Sequence, residues 1–309
     1  MGQPSTSDRV GLPRSALLPI HQRLSRRSLR LSGSLLLLGI VLLLALPAIG
    51  DAPQSFFSQT ASKLLDHDFP DSNLSYLMLE VQSGTVVAQR WKDPDAPLAM
   101  ASLVKPFTAL AYASSGAEFP TYYCSGHSVC WLPRGHGRLD LSHAIANSCN
   151  AYFGQLAKQV APEAAEATMR QFHLASITPW PVASVLAGLD SGWKNTPSAM
   201  AHAYLALYRM RDQSEAKPVI EGMRLSAEVG TGRAVGAALP MSGALVKTGT
   251  APCIHHPHSP GDGFAVVLAP SDSARVILLV RVHGVPGSHA ARIAGTMLAD
   301  LNRQDGAPR

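Results

Sequence analysis

Three short motifs in a fixed order constrain this chain more than any other feature: Ser102-Leu103-Val104-Lys105, then Ser148-Cys149-Asn150, then Lys247-Thr248-Gly249-Thr250. Their local contexts differ. The first opens an apolar run with helical spacing over residues 103–113. The second reads as a loop between two helices, and the third as a strand with a glycine near its end. A fold that uses all three must bring a helix start, a loop and a strand to one place. S-x-x-K also occurs at Ser191 and Ser214, but S-x-N and K-T-G each occur once, and Ser102 alone precedes both.

The residue types suit acyl transfer. A serine hydroxyl is a poor nucleophile until a base takes its proton, and a desolvated lysine can be that base. Positions i and i+3 share a helix face, so Lys105 lies one turn from Ser102. Pro106 falls in the first turn, where its missing N–H costs little. The N-terminus of the helix favours negative charge developing at Ser102. Ser148 is placed to pass a proton to a leaving amine, and Asn150 to orient Lys105 and a substrate amide. Lys247 is expected to set the field for a substrate carboxylate, with Thr248 and Thr250 donating hydrogen bonds to it. Gly249 lets a second backbone lie close, as a peptide added to the sheet would. The plainer readings are a solvated Lys105, poorly suited to so apolar a segment, and an Asn150 that merely caps a helix.

These residues resemble the transpeptidase domain of class B penicillin-binding proteins, in the serine β-lactamase-like superfamily. The likeness extends to residues 100–108 around the nucleophile, 135–153 leading through S-x-N, 196–204, Gly230-Thr231-Gly232 before K-T-G, and 263–270 after it. It implies an α+β sandwich, a five-stranded antiparallel sheet flanked by helices, with a mainly helical subdomain beside it. It also implies peptidoglycan stem peptides ending in D-Ala-D-Ala and β-lactams as ligands, an acyl-enzyme on Ser102, and an oxyanion hole from the backbone N–H groups of Ser102 and Thr250. The activity would be that of a D,D-transpeptidase or D,D-carboxypeptidase, and no cofactor or metal is required.

Patterning agrees with that fold. Residues 74–81 and 85–91 alternate around a Gln82-Ser83-Gly84 turn, a hairpin signal. Residues 264–268 and 275–282 are runs rich in Val, Ile and Leu, broken by Pro270-Ser271-Asp272, and residues 290–301 read as a last helix. Residues 102–227 are mostly helical pattern and loops. The expected organisation is a basic tail at 1–33, an anchor or signal segment at 34–50, a linker and first helix at 51–73, and the penicillin-binding domain at 74–309. Class B relatives carry a pedestal domain between anchor and catalytic domain, whereas about 50 residues separate the apolar run from Ser102 here. A bare catalytic domain is therefore expected. Ala101 stands where the family often has glycine.

Charge excludes a nucleic-acid role. Six arginines and one aspartate in residues 1–33 account for the whole net charge of +5, which leaves the rest neutral and without a basic patch. The tail precedes a 17-residue uncharged run at 34–50, short for a membrane span. Arginines on its N-terminal side keep that end cytoplasmic. An uncleaved inner-membrane anchor with an extracytoplasmic, periplasmic domain is the reading preferred over a cleaved signal ending near Ala48-Ile49-Gly50. In that compartment Cys124 and Cys130, flanking a short segment, are a candidate disulfide, while Cys149 and Cys253 read as buried small residues. Cys253 with His255, His256 and His258 could hold zinc, but no acidic ligand accompanies them, and a His-rich loop is the expected reading.

Two other classes share these motifs. A β-lactamase needs a base for deacylation, yet no E-x-x-x-N element follows Ser148, and the second motif carries Asn150 rather than the valine of class D enzymes. A non-catalytic sensor of β-lactams or wall peptides would keep the motifs without turnover.

Overall fold

Alternation along the strands decides how this chain packs. The computed structural model describes residues 56–127, 130–177, 183–253 and 260–305. The expected anchor at 34–50 and the histidines 255, 256 and 258 lie outside them. Among the described residues no helix is long and apolar enough to cross a membrane.

In chain order the strands are β1 (Leu74–Glu80), β2 (Val86–Arg90), β3 (Leu98–Ala99), β4 (Tyr122–Cys124), β5 (Gly137–Leu139), β6 (Lys194–Asn195), β7 (Leu245–Ala251), β8 (Asp262–Ala269) and β9 (Val276–Val282). The helices used below are α1 (Phe56–Asp68), α2 (Lys105–Ala113), α3 (Leu141–Ala146), α4 (Asn150–Leu156), α5 (Pro197–Arg209), α6 (Lys217–Glu228), α7 (Arg233–Ala238) and α8 (Gly287–Asp305). The main sheet is antiparallel, in the order β2-β1-β9-β8-β7. This is the expected five-stranded sheet with flanking helices.

Successive side chains of a strand point to opposite faces. Leu77, Leu79, Val266, Leu268, Ile277 and Leu279 enter one core, shared with the helical subdomain that contains Phe107, Phe153 and Tyr204. Tyr76, Met78, Ala265, Val267, Leu278 and Val280 enter the other, shared with Ala290, Ala294 and Met297 of α8 and Leu65 of α1. Burying each large apolar side chain contributes ~1.5–3 kcal/mol, so neither face is left to solvent. That is why β8 and β9 read as nearly continuous apolar runs rather than strict polar–apolar alternation.

The expected hairpin forms as β1 and β2, with Gly84 at φ +76° in the turn. The last helix is longer than its apolar pattern, running from Gly287 to Asp305. Two small ribbons, β3 with β6 and β4 with β5, interrupt a middle region that reads as helix and loop in sequence. The outcome for function is positional. β7 is an edge of the main sheet, and the turn before α2 packs against it.

Candidate active site

Ser102 lies in a 3-10 turn, Ala101–Val104, and α2 proper begins only at Lys105 with Pro106 in its first turn. The sequence pattern had placed one helix from residue 103. The cause is Ala101, whose φ of +45° breaks the helical path just before the nucleophile. The left-handed region costs an alanine about 1–2 kcal/mol. The turn is held by backbone approaches that only glycines permit. A Cβ on Gly188 would lie 2.5 Å from the Ala101 carbonyl oxygen, and one on Gly249 would lie 2.6 Å from that of Met100. The Tyr204 hydroxyl donates to the Leu103 carbonyl at 2.8 Å from α5.

Lys105 is fully buried. Its Nζ donates to the Ser148 carbonyl at 2.9 Å and to Asn150 Oδ1 at 2.7 Å, and sits 5.4 Å from the centre of the Phe153 ring. Burial disfavours the ammonium and pulls its pKa down to about 7, against an opposing effect of the nearby Cys149 and Cys130 thiols. Ser148 sits between α3 and α4 at φ +49°, and Asn150 is the first residue of α4. The S-x-N segment is thus the expected interhelical loop.

Lys247 is placed differently from expectation. It too is fully buried, and its Nζ donates to Ser148 Oγ at 2.8 Å and to the Thr248 carbonyl at 2.7 Å. Burial, and then the charge of Lys105, hold its pKa well below the usual lysine range. Its Nζ therefore acts on Ser148 and does not present itself at the surface for a carboxylate. The Thr248 hydroxyl is also engaged inward, donating to Thr231 Oγ1 at 2.7 Å. Of the two threonines only Thr250 is exposed, with its hydroxyl accepting the Gly287 N–H at 2.9 Å.

Five side chains expected at a site, those of Ser102, Lys105, Ser148, Asn150 and Lys247, thus come from one turn, two helix ends and an edge strand that pack together. The hydrogen bonds run Asn150–Lys105–Ser148 carbonyl and Lys247–Ser148 hydroxyl, so Ser148 is the node between the two lysines. Sequence reasoning assigned no role to Thr231. It ties the loop to the strand, because its N–H donates to the Ala146 carbonyl at 3.1 Å while its hydroxyl receives Thr248. Its position between Gly230 and Gly232 was the available signal: a Cβ on Gly230 would lie 2.2 Å from the Ala146 carbonyl oxygen.

The expected Cys124–Cys130 disulfide is not formed. All four cysteines are free and buried, and the sulfur atoms of Cys124 and Cys130 both face His136 Nδ1, at 3.6 and 3.5 Å.

Comparison with known proteins gives one family. Residues 95–301 match the family model described as the penicillin-binding protein transpeptidase domain. No curated protein matches the sequence. Among solved structures, PBP2 of Pseudomonas aeruginosa is similar with a TM-score of 0.67 at 17% identity, over 80% of this chain and 73% of that one. The transpeptidase domain of Burkholderia pseudomallei penicillin-binding protein 3 is similar at a TM-score of 0.66 and 18% identity, over 82% and 94%. Penicillin-binding protein A of M. tuberculosis, solved as a ceftriaxone acyl-enzyme complex, gives 0.60 and 16%, over 75% and 74%. At these identities the likeness is one of fold.

Proposed function

Because this chain belongs to the family of penicillin-binding protein transpeptidase domains, we propose that it is a serine acyl-transferase for peptides ending in D-Ala-D-Ala, with Ser102 as nucleophile. The observation that carries this reading is the Lys105–Ser148–Lys247 hydrogen-bond array, whose Lys105 follows the turn that holds Ser102. A Lys105 poised near neutrality is in part an uncharged amine. It takes the Ser102 proton as the hydroxyl attacks the penultimate carbonyl carbon. The leaving D-alanine amine then gains the hydrogen of Ser148, and the proton held by Lys105 replaces it, so that the Ser102 proton ends on the amine while Lys247 Nζ keeps its hydrogen bond to the Ser148 oxygen. Asn150 fixes Lys105 in place. The acyl-enzyme is resolved by an amine, giving a cross-link, or by water, giving a shortened peptide.

β7 supports the binding pose. As an edge strand it has backbone groups with no partner strand, so a stem peptide can add alongside it. The oxyanion is taken up by the backbone N–H groups of Ser102 and Thr250, as the family resemblance implies. Exposed Thr250 meets the terminal carboxylate, and buried Lys247 lies behind it, bonded to Ser148 Oγ. The same array accepts a β-lactam, whose strained amide stands in for the peptide bond. The basic tail and apolar residues 34–50 support tethering to the inner membrane with the domain outside.

Labelled penicillin tests the reading: attachment should map to Ser102, and labelling that persists in Ser102→Ala would overturn it. Mass analysis of products from a pentapeptide, with and without an amine acceptor, separates transpeptidase from carboxypeptidase. Protease shaving of spheroplasts checks the location.

A further inference from the structure

We propose that Cys124, Cys130, His136 and Cys149 bind one zinc ion, and that this ion locks the Ser148–Asn150 turn. The three Sγ atoms and a ring nitrogen of His136 all lie within 4.8 Å of one another. The separations fit one tetrahedral centre. With Zn–S near 2.3 Å and Zn–N near 2.0–2.1 Å, a tetrahedron has S···S edges of about 3.8 Å and S···N edges of about 3.5 Å. The structure gives 3.9 Å between Cys130 and Cys149, and 3.6 and 3.5 Å from Cys124 and Cys130 to His136 Nδ1. A disulfide needs its sulfurs about 2.05 Å apart. His136 Nε2 is buried and has no hydrogen-bond partner, so what holds the ring acts through Nδ1. A thiolate-rich set with one imidazole suits zinc over magnesium or calcium.

The backbone builds this arrangement. Cys124 ends β4, and its partner in the ladder is Gly137, the residue after His136. Between them the chain folds back on itself. A Cβ on Gly126 would lie 2.2 Å from the Pro133 carbonyl oxygen, and one on Gly135 would lie 2.2 Å from that of Cys124. The His127 N–H closes the loop on the Pro133 carbonyl at 2.9 Å. Cys149 comes from elsewhere, as the residue before α4, with Ser148 on one side and Asn150 on the other. The loop grips that turn a second time where Trp131 Nε1 donates to the Asn147 carbonyl at 3.0 Å. A metal bonded to Cys149 would thus fix the residue between the two polar groups that contact Lys105 and Lys247.

A second group, Cys253 with Asp262 and His283, also comes together. There the Asp262 carboxylate is held by the Arg281 guanidinium, with Nε at 2.9 Å, and that positive charge opposes a cation. Among the described residues no cationic side chain hydrogen-bonds to a ligand atom of the first group, and Lys105 and Arg134 act on it only through space.

Binding displaces the thiol protons to solvent, leaving three thiolates and a neutral imidazole on Zn²⁺. The test uses the full chain purified without added metal. Elemental analysis should find one zinc per chain, released by a mercurial thiol reagent. Replacement by Co²⁺ should give the intense visible bands and near-ultraviolet charge transfer of a tetrahedral thiolate site. Cys124→Ser should lose the metal, and Cys253→Ser should keep it. If Cys124→Ser fails to fold, the wild-type stoichiometry and cobalt spectrum decide. A protein that stays metal-free after incubation with zinc, or a mapped Cys124–Cys130 bridge, would overturn the site.

The turn-locking half rests on the acyl-transfer reading. Chelation should slow penicillin acylation roughly tenfold or more, since misplacement near 1 Å is that costly, and added zinc should restore it. An unchanged rate in metal-stripped protein overturns the locking role. A zinc-loaded protein that never acylates at Ser102 upholds the metal site and removes the activity instead.

Discussion

On the helical side of the cleft, Ala101 and Ser148 both sit at positive φ, and Lys105 is buried with its charge held by a carbonyl and an amide. On the strand side, residues from Lys247 to Ala251 pair one for one with β8, from Val266 to Asp262, without irregularity. The two sides share the chemistry unequally. The turns hold the groups proposed to move protons, in conformations costing of order 1–3 kcal/mol each that persist only when surroundings over-determine them. The regular strand is what over-determines them: Gly249 receives the turn before α2, Lys247 receives Ser148, and Thr248 reaches the loop through Thr231. The proposed reactive groups lie in the irregular half, and the regular strand contacts the turns that carry them.

The strongest test of that division is Lys105. Its replacement by alanine should lower the penicillin acylation rate by about 10²–10⁴-fold, the span of a lost general base. The wild-type rate should rise with pH through about 7, because below that the amine is protonated and cannot accept the Ser102 proton. Stability should follow the same direction. An unfolded lysine keeps its proton to about 10.4, the folded one releases it near 7, and between those values the unfolded chain holds more protons, so this group adds stability as pH rises. Acylation measured across the neutral range checks the sign. A rate that falls with pH there would give the base role to another group.

Lys247 should matter less. Lys247→Ala removes a buried hydrogen bond to Ser148 and leaves its hydroxyl without that donor, a loss of about 1–3 kcal/mol or roughly 5- to 150-fold in acylation efficiency. Because its Nζ points inward, Thr250→Val should reduce the preference for free-acid over esterified penicillin more than its size suggests. If Lys247→Ala alone abolishes that preference and Thr250→Val leaves it intact, the strand side contacts the carboxylate directly through the lysine.

Strand and helix were unequally legible in sequence. β1, β8 and β9 are written in alternation and in apolar runs, and the K-T-G strand in its own motif, because burial on a sheet face depends on residues two apart. The motif residues were legible as a set. The depth of Lys247 was not, because alternation gives a side chain's face and says nothing about what lies above it. The positive φ of Ala101 and Ser148 was hidden, since neither residue type announces it. Cys124 and Cys130 suggest a bridge because they lie six residues apart in a chain expected to be exported. Their actual neighbours, His136 and Cys149, arrive through a ribbon of two three-residue strands and the start of α4, which no local pattern encodes. Cys253 and the histidines after it suggest a metal site for the same reason, being the place where such residues are adjacent in sequence.

Gly249 joins the two sides, and a methyl group there tests whether the strand sets the turn. The Met100 carbonyl oxygen would lie 2.6 Å from the new Cβ, and it is backbone, so it cannot swing aside. Relief requires several tenths of an ångström between nucleophile and strand. Misplacement near 1 Å costs up to 10²-fold, so Gly249→Ala should slow acylation about tenfold. The fold, carried by two apolar cores, should survive, which a thermal melt would confirm. An unchanged rate would mean that the turn is positioned from the helical side alone.

The smallest effect expected has the opposite sign. Ala101 lies at φ +45°, where an alanine is strained by about 1–2 kcal/mol and a glycine is not. Glycine also gains freedom in the unfolded chain, which offsets about 0.4–1 kcal/mol of the relief. Ala101→Gly should therefore stabilise the domain by roughly 0.5–1 kcal/mol, seen as a rise of about 1–4 °C in Tm. Its acylation rate should stay near wild type, because Tyr204, Gly188 and Gly249 hold the turn independently of residue 101's side chain. The pairing of the two readouts is what discriminates. A higher Tm with a preserved rate identifies the strain as a local cost imposed by the strand-fixed turn. A higher Tm with a much slower rate would show that the alanine itself restrains Ser102, so that the strained turn contributes to its own positioning. A lower Tm would show that the left-handed geometry is not strained, and the contrast between the two sides would lose its physical basis.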